Sequence, residues 1–187
     1  YLSRADYLLQ LGRTSLAQMS LQEALSLGFS DAGSCYLASR LLSRLNDLPA
    51  ALEYAEKTVA ARPQDPGLRV RSAVLASELA WSLLDIEKAF AFLKDIGTER
   101  ILASGSLAGE RGSAAAVGEQ DEADLLHLAA LYGELALERG DVRTAEWIPL
   151  LTEFESPHKA RLLAVHARLQ ARRDGSPAGM QLFEQAL

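Results

Sequence analysis

Gly12 and Asn46 stand 34 residues apart, and Ala17 and Ala51 keep the same separation. In "LGRTSLAQMSLQEALSLGFSD" Gly12 opens a turn, and Ala17, Leu21, Ala24 and Leu25 then fall at helical spacing, so their side chains share one face. "NDLPAALEYAEKTVAARPQDP" repeats the arrangement: Asn46 turns, Ala51, Ala55, Thr58 and Val59 face one way, and Pro63 and Pro66 stop the helix. Each turn is preceded by another amphipathic stretch, "YLSRADYLLQL" and "SCYLASRLLSRL". The repeating unit is therefore a pair of helices. Because one amphipathic helix cannot bury its own apolar face, such units must stack.

The small residues extend the register. "LYGELALERGDVRTAEW" supplies Gly133, Gly140 and Ala145, and a further 34 residues on stand Ala167, Asp174 and Gly179, with Phe183 and Ala186 following. "AWSLLDIEKAFAFLKDI" forms the middle copy, with its turn at Asp85 and its small second-helix residue at Ala89. Ala89 lies 38 residues after Ala51, so about one helical turn has been added. Ala145 lies 56 residues after Ala89, which leaves 22 beyond the repeat length. Over five copies the first-helix site reads Ala5, Ser39, Ser77, Gly133 and Ala167, and the second-helix site reads Ala17, Ala51, Ala89, Ala145 and Gly179. Small side chains at both sites let the two helices of a pair cross closely.

With these residues the chain resembles the tetratricopeptide repeat family, whose unit is a 34-residue helix-turn-helix. The resemblance implies an all-α, right-handed α-solenoid. Copies 1 to 3 would occupy 1–96, a Gly-, Ser- and Ala-rich insertion 97–120, and copies 4 and 5 121–187, in one continuous solenoid expected to belong to a longer array. The sequence departs from the family pattern in places: the large first-helix aromatic is missing from most copies, and Pro149 falls inside the fourth second helix, where it removes a hydrogen bond.

Composition agrees with a helical protein that has a core. Hydrophobic residues make up 49% of the chain, Leu and Ala recur, and β-branched residues are scattered. The net charge of −6 argues against a general nucleic-acid binder, which needs a basic surface to displace counterions. No run reaches the roughly 18 apolar residues of a membrane span, so direct membrane insertion of this segment is not expected. Cys35 is the only cysteine; it allows no internal disulfide and does not choose between periplasm and cytoplasm.

Motifs for chemistry are few. Gly109 and Gly112 lack the Lys-Ser or Lys-Thr pair of a phosphate loop. None of His127, His158 and His166 has another His or a Cys three or four residues away on a helix, so no metal and no cofactor is expected. Ser104 and Ser106 lie in linker-like sequence rather than a rigid elbow. Catalysis needs groups held by rigid surroundings, and an enzyme is not expected.

By the resemblance, first helices line the inner wall, where a protein or peptide partner would lie. That wall would be built from Asp6 and Leu9, from Tyr36, Arg40, Ser43 and Arg44, from Val74 and Glu78, from His127, Glu134 and Glu138, and from Arg161, Arg168 and Arg172. The partner-binding candidates among these are Tyr36, Arg40, Arg44, Val74, Glu134, Arg161 and Arg168. Tyr36 and Arg40 lead, since one turn of helix joins an aromatic anchor to a forked cation. The cluster of Arg161, Arg168, Arg172 and Arg173 reads either as a contact for acidic peptides or anionic glycans, or as charge complementing a helix end. The family's carboxylate clamp is not matched, because its aligned sites hold Leu2, Asp6 and Leu37, with Arg71 alone of the expected charge. The resulting expectation is a non-catalytic interaction scaffold. Repeat arrays of this family also occur in bacterial exopolysaccharide export, which supplies one setting. A sensor solenoid closing on a peptide or small ligand, or the substrate-docking arm of a larger enzyme, are the alternatives.

Overall fold

The computed structural model describes residues 1–96, 119–140 and 158–174. Among the described residues every regular element is an α-helix: α1 (Leu2–Gln10), α2 (Thr14–Leu27), α3 (Ala32–Arg44), α4 (Leu48–Ala60), α5 (Pro66–Ser82), α6 (Ile86–Asp95), α7 (Glu119–Glu138) and α8 (Lys159–Asp174). None is long and apolar enough to cross a membrane. α7 begins at Glu119, within the 97–120 span expected for the insertion. Ala145, Pro149 and Gly179 and the expected insertion through residue 118 lie outside the described residues.

The chain divides into two units, Tyr1–Asp85 and Ile86–Leu187. In the first, α1 packs on α2, α3 on α4, and α4 on α5; α3 also touches both α1 and α2, and α5 touches α3. Helix pairs thus lie against one another in sequence order within this unit. In the second unit α7 packs on both α6 and α8.

Local chemistry sets the helix starts. Asp31, Asp47 and Asp65 each stand at an N-cap and accept backbone N–H bonds, from Ser34 at 2.8 Å, from Ala50 at 3.3 Å, and from Gly67 and Leu68 at 3.1 and 3.3 Å. These carboxylates satisfy donors that the first helical turn leaves without partners. Hydrogen bonding from Ser34, first from its side chain and then from its backbone N–H, holds the Asp31 carboxyl below its ordinary pKa.

The joints inside the pairs repeat to the level of single hydrogen bonds. Gly12, Asn46, Leu84 and Gly140 all adopt the left-handed conformation, at φ 71°, 63°, 64° and 77°. Each donates its N–H to the carbonyl three residues back: Leu9, Ser43, Trp81 and Leu137. In the first three copies the next residue closes a wider bond, Arg13 to Leu8, Asp47 to Leu42 and Asp85 to Ala80, which completes a Schellman turn. The third left-handed residue is Leu84, one position before the Asp85 expected from sequence. Its Cβ makes that conformation cost about 1 kcal/mol relative to glycine, and its side chain is 85% exposed. Arg62 enters the same conformation after α4, but Pro63 has no N–H to close the wider bond, and the chain leaves the helix there.

The small sites do what their size implies. Ala5, Ser39, Ser77, Gly133, Ala167, Ala17, Ala51 and Ala89 are all buried. In the second copy the two sites touch: the Ser39 hydroxyl donates to the Ala51 carbonyl at 2.7 Å, tying α3 to α4 where they cross. The extra turn of the third copy lies in α5, which has 17 residues against 13 in α3.

Candidate functional site

Projecting the candidate residues onto the helices separates them into three kinds. Val74 is 6% exposed and is corrected from a wall residue to a core one. The reason lies in α5, where Ser72, Ala73, Val74, Ala76, Ser77, Leu79 and Ala80 are all buried, so a position open in α3 is covered in α5.

Arg44, Glu134, Arg161 and Arg168 form ion pairs between first helices. The Arg44 guanidinium donates to Asp6 Oδ1 at 2.8 Å, joining α3 to α1; Gln10 donates to the other oxygen of the same carboxylate at 2.9 Å. In the second unit Arg161 binds Glu134 through two bonds, Nε to Oε1 at 2.8 Å and Nη2 to Oε2 at 2.6 Å. This fork-on-fork pair fixes both distance and orientation, and the Glu134 side chain is only 15% exposed. Arg168 donates to Glu138 at 3.0 Å, and Arg172 donates to the Leu137 carbonyl at the C-terminal end of α7. The basic cluster of α8 is thereby largely consumed by α7. It neutralises two carboxylates and adds a second donor to the Leu137 carbonyl, which already accepts from the Gly140 N–H at the end of α7.

Tyr36 and Arg40 are the third kind. Arg40 is exposed, with its guanidinium carbon 5.9 Å from the centroid of the half-buried Tyr36 ring. Among the described residues Arg40 meets no carboxylate within ion-pairing distance. Helix periodicity places these two groups together, since they are one turn apart, and the exposed face keeps the cation in water beside an aromatic surface.

Two contacts lay beyond the sequence reading. His127 of α7 and His158, just ahead of α8, stack with centroids 4.4 Å apart and planes within 5°. The in-plane nitrogen lone pairs of parallel rings run side by side instead of converging on one point, so stacking itself does not make a ligand pair. Phe90 of α6 stacks on Tyr132 of α7 at 5.1 Å, while Arg139 lies 4.3 Å over Phe90 and pairs with Glu87 at 3.2 Å. Both contacts join residues more than 30 positions apart, where no local spacing signals them. Cys35 is 3% exposed, and burial pushes its thiol pKa up, away from the thiolate a nucleophile requires. Burial pushes His166 the other way, below its ordinary value of 6.5; its Nδ1 makes no hydrogen bond among the described residues and its Nε2 lies 3.1 Å from Gln170.

No protein family matches the chain, nor does any curated protein or solved structure.

Proposed function

We propose that this chain is a non-catalytic protein-interaction scaffold of the tetratricopeptide-like class, a right-handed solenoid that receives a protein or peptide on the wall formed by its first helices. Tyr36 and Arg40 are the anchor. The observation that carries this reading is the contrast among the candidate arginines: Arg44, Arg161 and Arg168 are neutralised by Asp6, Glu134 and Glu138, whereas Arg40 rests over an aromatic ring. A cation already satisfied within the fold has little to offer a partner. One that is exposed and pre-oriented by an aromatic neighbour loses less entropy when a carboxylate or carbonyl arrives.

A photo-crosslinking residue at Ser43, half-buried in the same helix, would capture the partner, and titration calorimetry with that partner would test the anchor. Replacing Tyr36 and Arg40 by Ala is expected to weaken binding by about 2 to 4 kcal/mol. Glu53 and Lys57 are the control: they are exposed on α4 and already paired at 2.7 Å, and their replacement should change binding by less than about 0.5 kcal/mol. Equal losses from both pairs would place the partner elsewhere. Since Tyr36 is half-buried, the single Arg40→Ala variant separates lost binding from lost packing.

A further inference from the structure

One row of positions recurs on each first helix. In α3 it is Cys35, Ala38 and Leu41, which are 3%, 0% and 0% exposed; in α5 it is Ala73, Ala76 and Leu79, at 0%, 0% and 3%. The row is dry in both helices because the preceding pair lies against them: α1 and α2 both touch α3, and α3 and α4 both touch α5. At α1 the same row reads Tyr1, which is the N-cap, Arg4 and Tyr7, and there Tyr1 and Tyr7 are 56% and 60% exposed. Two of the exposed apolar residues of α2 are different in kind. Met19 and Leu27 correspond to Glu53 and Ala61, which are exposed as well, so they lie on a stripe that faces solvent in both copies.

We propose that the Tyr1–Arg4–Tyr7 row at α1 is a docking surface for a helix pair of this chain's own repeat, seated one 34-residue period ahead of α1. The geometry is that of an interface already present, since α1 and α2 cover the equivalent row of α3. The residue types suit such burial: phenol rings contribute apolar area while keeping a hydroxyl at the rim, and the Arg4 stem can lie along apolar surface with its guanidinium in water. Arg4 also selects among occupants. A second copy docking symmetrically about a two-fold axis through the row brings two Arg4 guanidinium groups together, and like charges oppose that arrangement. The proposal concerns a different surface from Tyr36 and Arg40 and does not depend on what binds there.

The test is a pair of extended chains. In one, residues 1–34 are duplicated directly ahead of Tyr1, the duplicate carrying Tyr1→Phe and Tyr7→Phe so that its peptides differ in mass. The other is identical except for a Gly-Ser insertion at the junction, which rotates the added pair out of register. Hydrogen exchange read by mass spectrometry is expected to slow about tenfold across the native α1 in the first chain only, because a covered helix opens less often. Tyr7→Glu in the native α1 of that chain should restore the parent rate. The parent chain should stay monomeric by sedimentation. Unchanged exchange in the in-register chain, or equal protection in both chains, would overturn the proposal. So would a parent dimer abolished by Tyr7→Glu, which would assign the row to a second copy.

Discussion

Helices α3 and α8 place arginine at the same two positions of the repeat and use it differently. Arg40 and Arg168 are equivalent, as are Arg44 and Arg172. On α8, Arg168 turns to Glu138 of the preceding first helix, α7; on α3, Arg40 turns to its own helix and lies over Tyr36. Two substitutions account for the difference. The residue of α1 equivalent to Glu138 is Gln10, a neutral amide already donating to Asp6, and the residue of α8 equivalent to Tyr36 is Ala164, which offers no ring. A repeat position therefore does not by itself determine whether its arginine holds the fold together or faces outward. The neighbouring helix decides, through whether it offers a carboxylate in register.

The outward residues of α3 are held in one orientation only while α3 is clamped to α4. Ala51→Leu attacks that clamp, where the Ser39 hydroxyl meets the Ala51 carbonyl; urea denaturation should show a loss of about 1 to 3 kcal/mol from overpacking. An unchanged midpoint would mean that the crossing is looser than the 2.7 Å bond implies. On the α8 side, Glu134→Ala should cost about 1 to 2 kcal/mol, since it leaves the Arg161 guanidinium partly buried without its two acceptors. Arg40→Ala should cost less than about 0.5 kcal/mol in the same assay, because its contact is exposed. Equal losses from these two would erase the distinction between the helices.

Gln10→Glu tries to convert the surroundings of α3 into those of α8. The new carboxylate should draw Arg40 away from Tyr36 and weaken partner binding. Stability should change by less than about 0.5 kcal/mol, since pairing with Arg40 is offset by repulsion from Asp6 one turn away. Binding equal to that of the native chain would show that Arg40 is not the anchor. The smallest effect concerns the covered row, where α3 has Ala38 and α8 has His166. Burial lowers the His166 pKa in the fold, so the unfolded chain takes up the proton first and the folded state loses stability as pH falls through 6.5 toward the lower folded value. His166→Gln should remove that part of the slope in denaturation curves recorded across this window. A slope unchanged by the substitution would assign the pH response to other groups.

The architecture could be read from the sequence where single residues face a steric requirement. A small residue is needed wherever two helices cross, and each of the eight described residues expected at such sites is buried. Gly12, Asn46 and Gly140 marked their turns because glycine and asparagine tolerate a left-handed backbone. Leu84 did not, since leucine is disfavoured there and the neighbouring Asp85 is the better turn former by propensity. The site was less legible. Whether an arginine is spent inside the fold depends on residues about one repeat away: Arg161 and Glu134 are 27 positions apart, and Arg44 and Asp6 are 38 apart. The misplacement of Val74 has the same origin. Its alignment with Tyr36 was sound, but burial follows the number of neighbours around a helix, which no single copy of the repeat records.

The additional turn of α5 bears on how such a chain can change length over generations. Four residues enter between Ala51 and Ala89 beyond the repeat period, yet Ser77 and Ala89 keep their buried places. Four residues rotate a helix by about one full turn, so every side chain beyond the insertion returns to nearly its former direction. Two residues would rotate it by about half a turn and send the crossing sites toward water. Gain or loss of DNA in this gene is thus filtered by angle as well as by reading frame, and segments of three or four codons at the start of a first helix are the ones the protein can absorb.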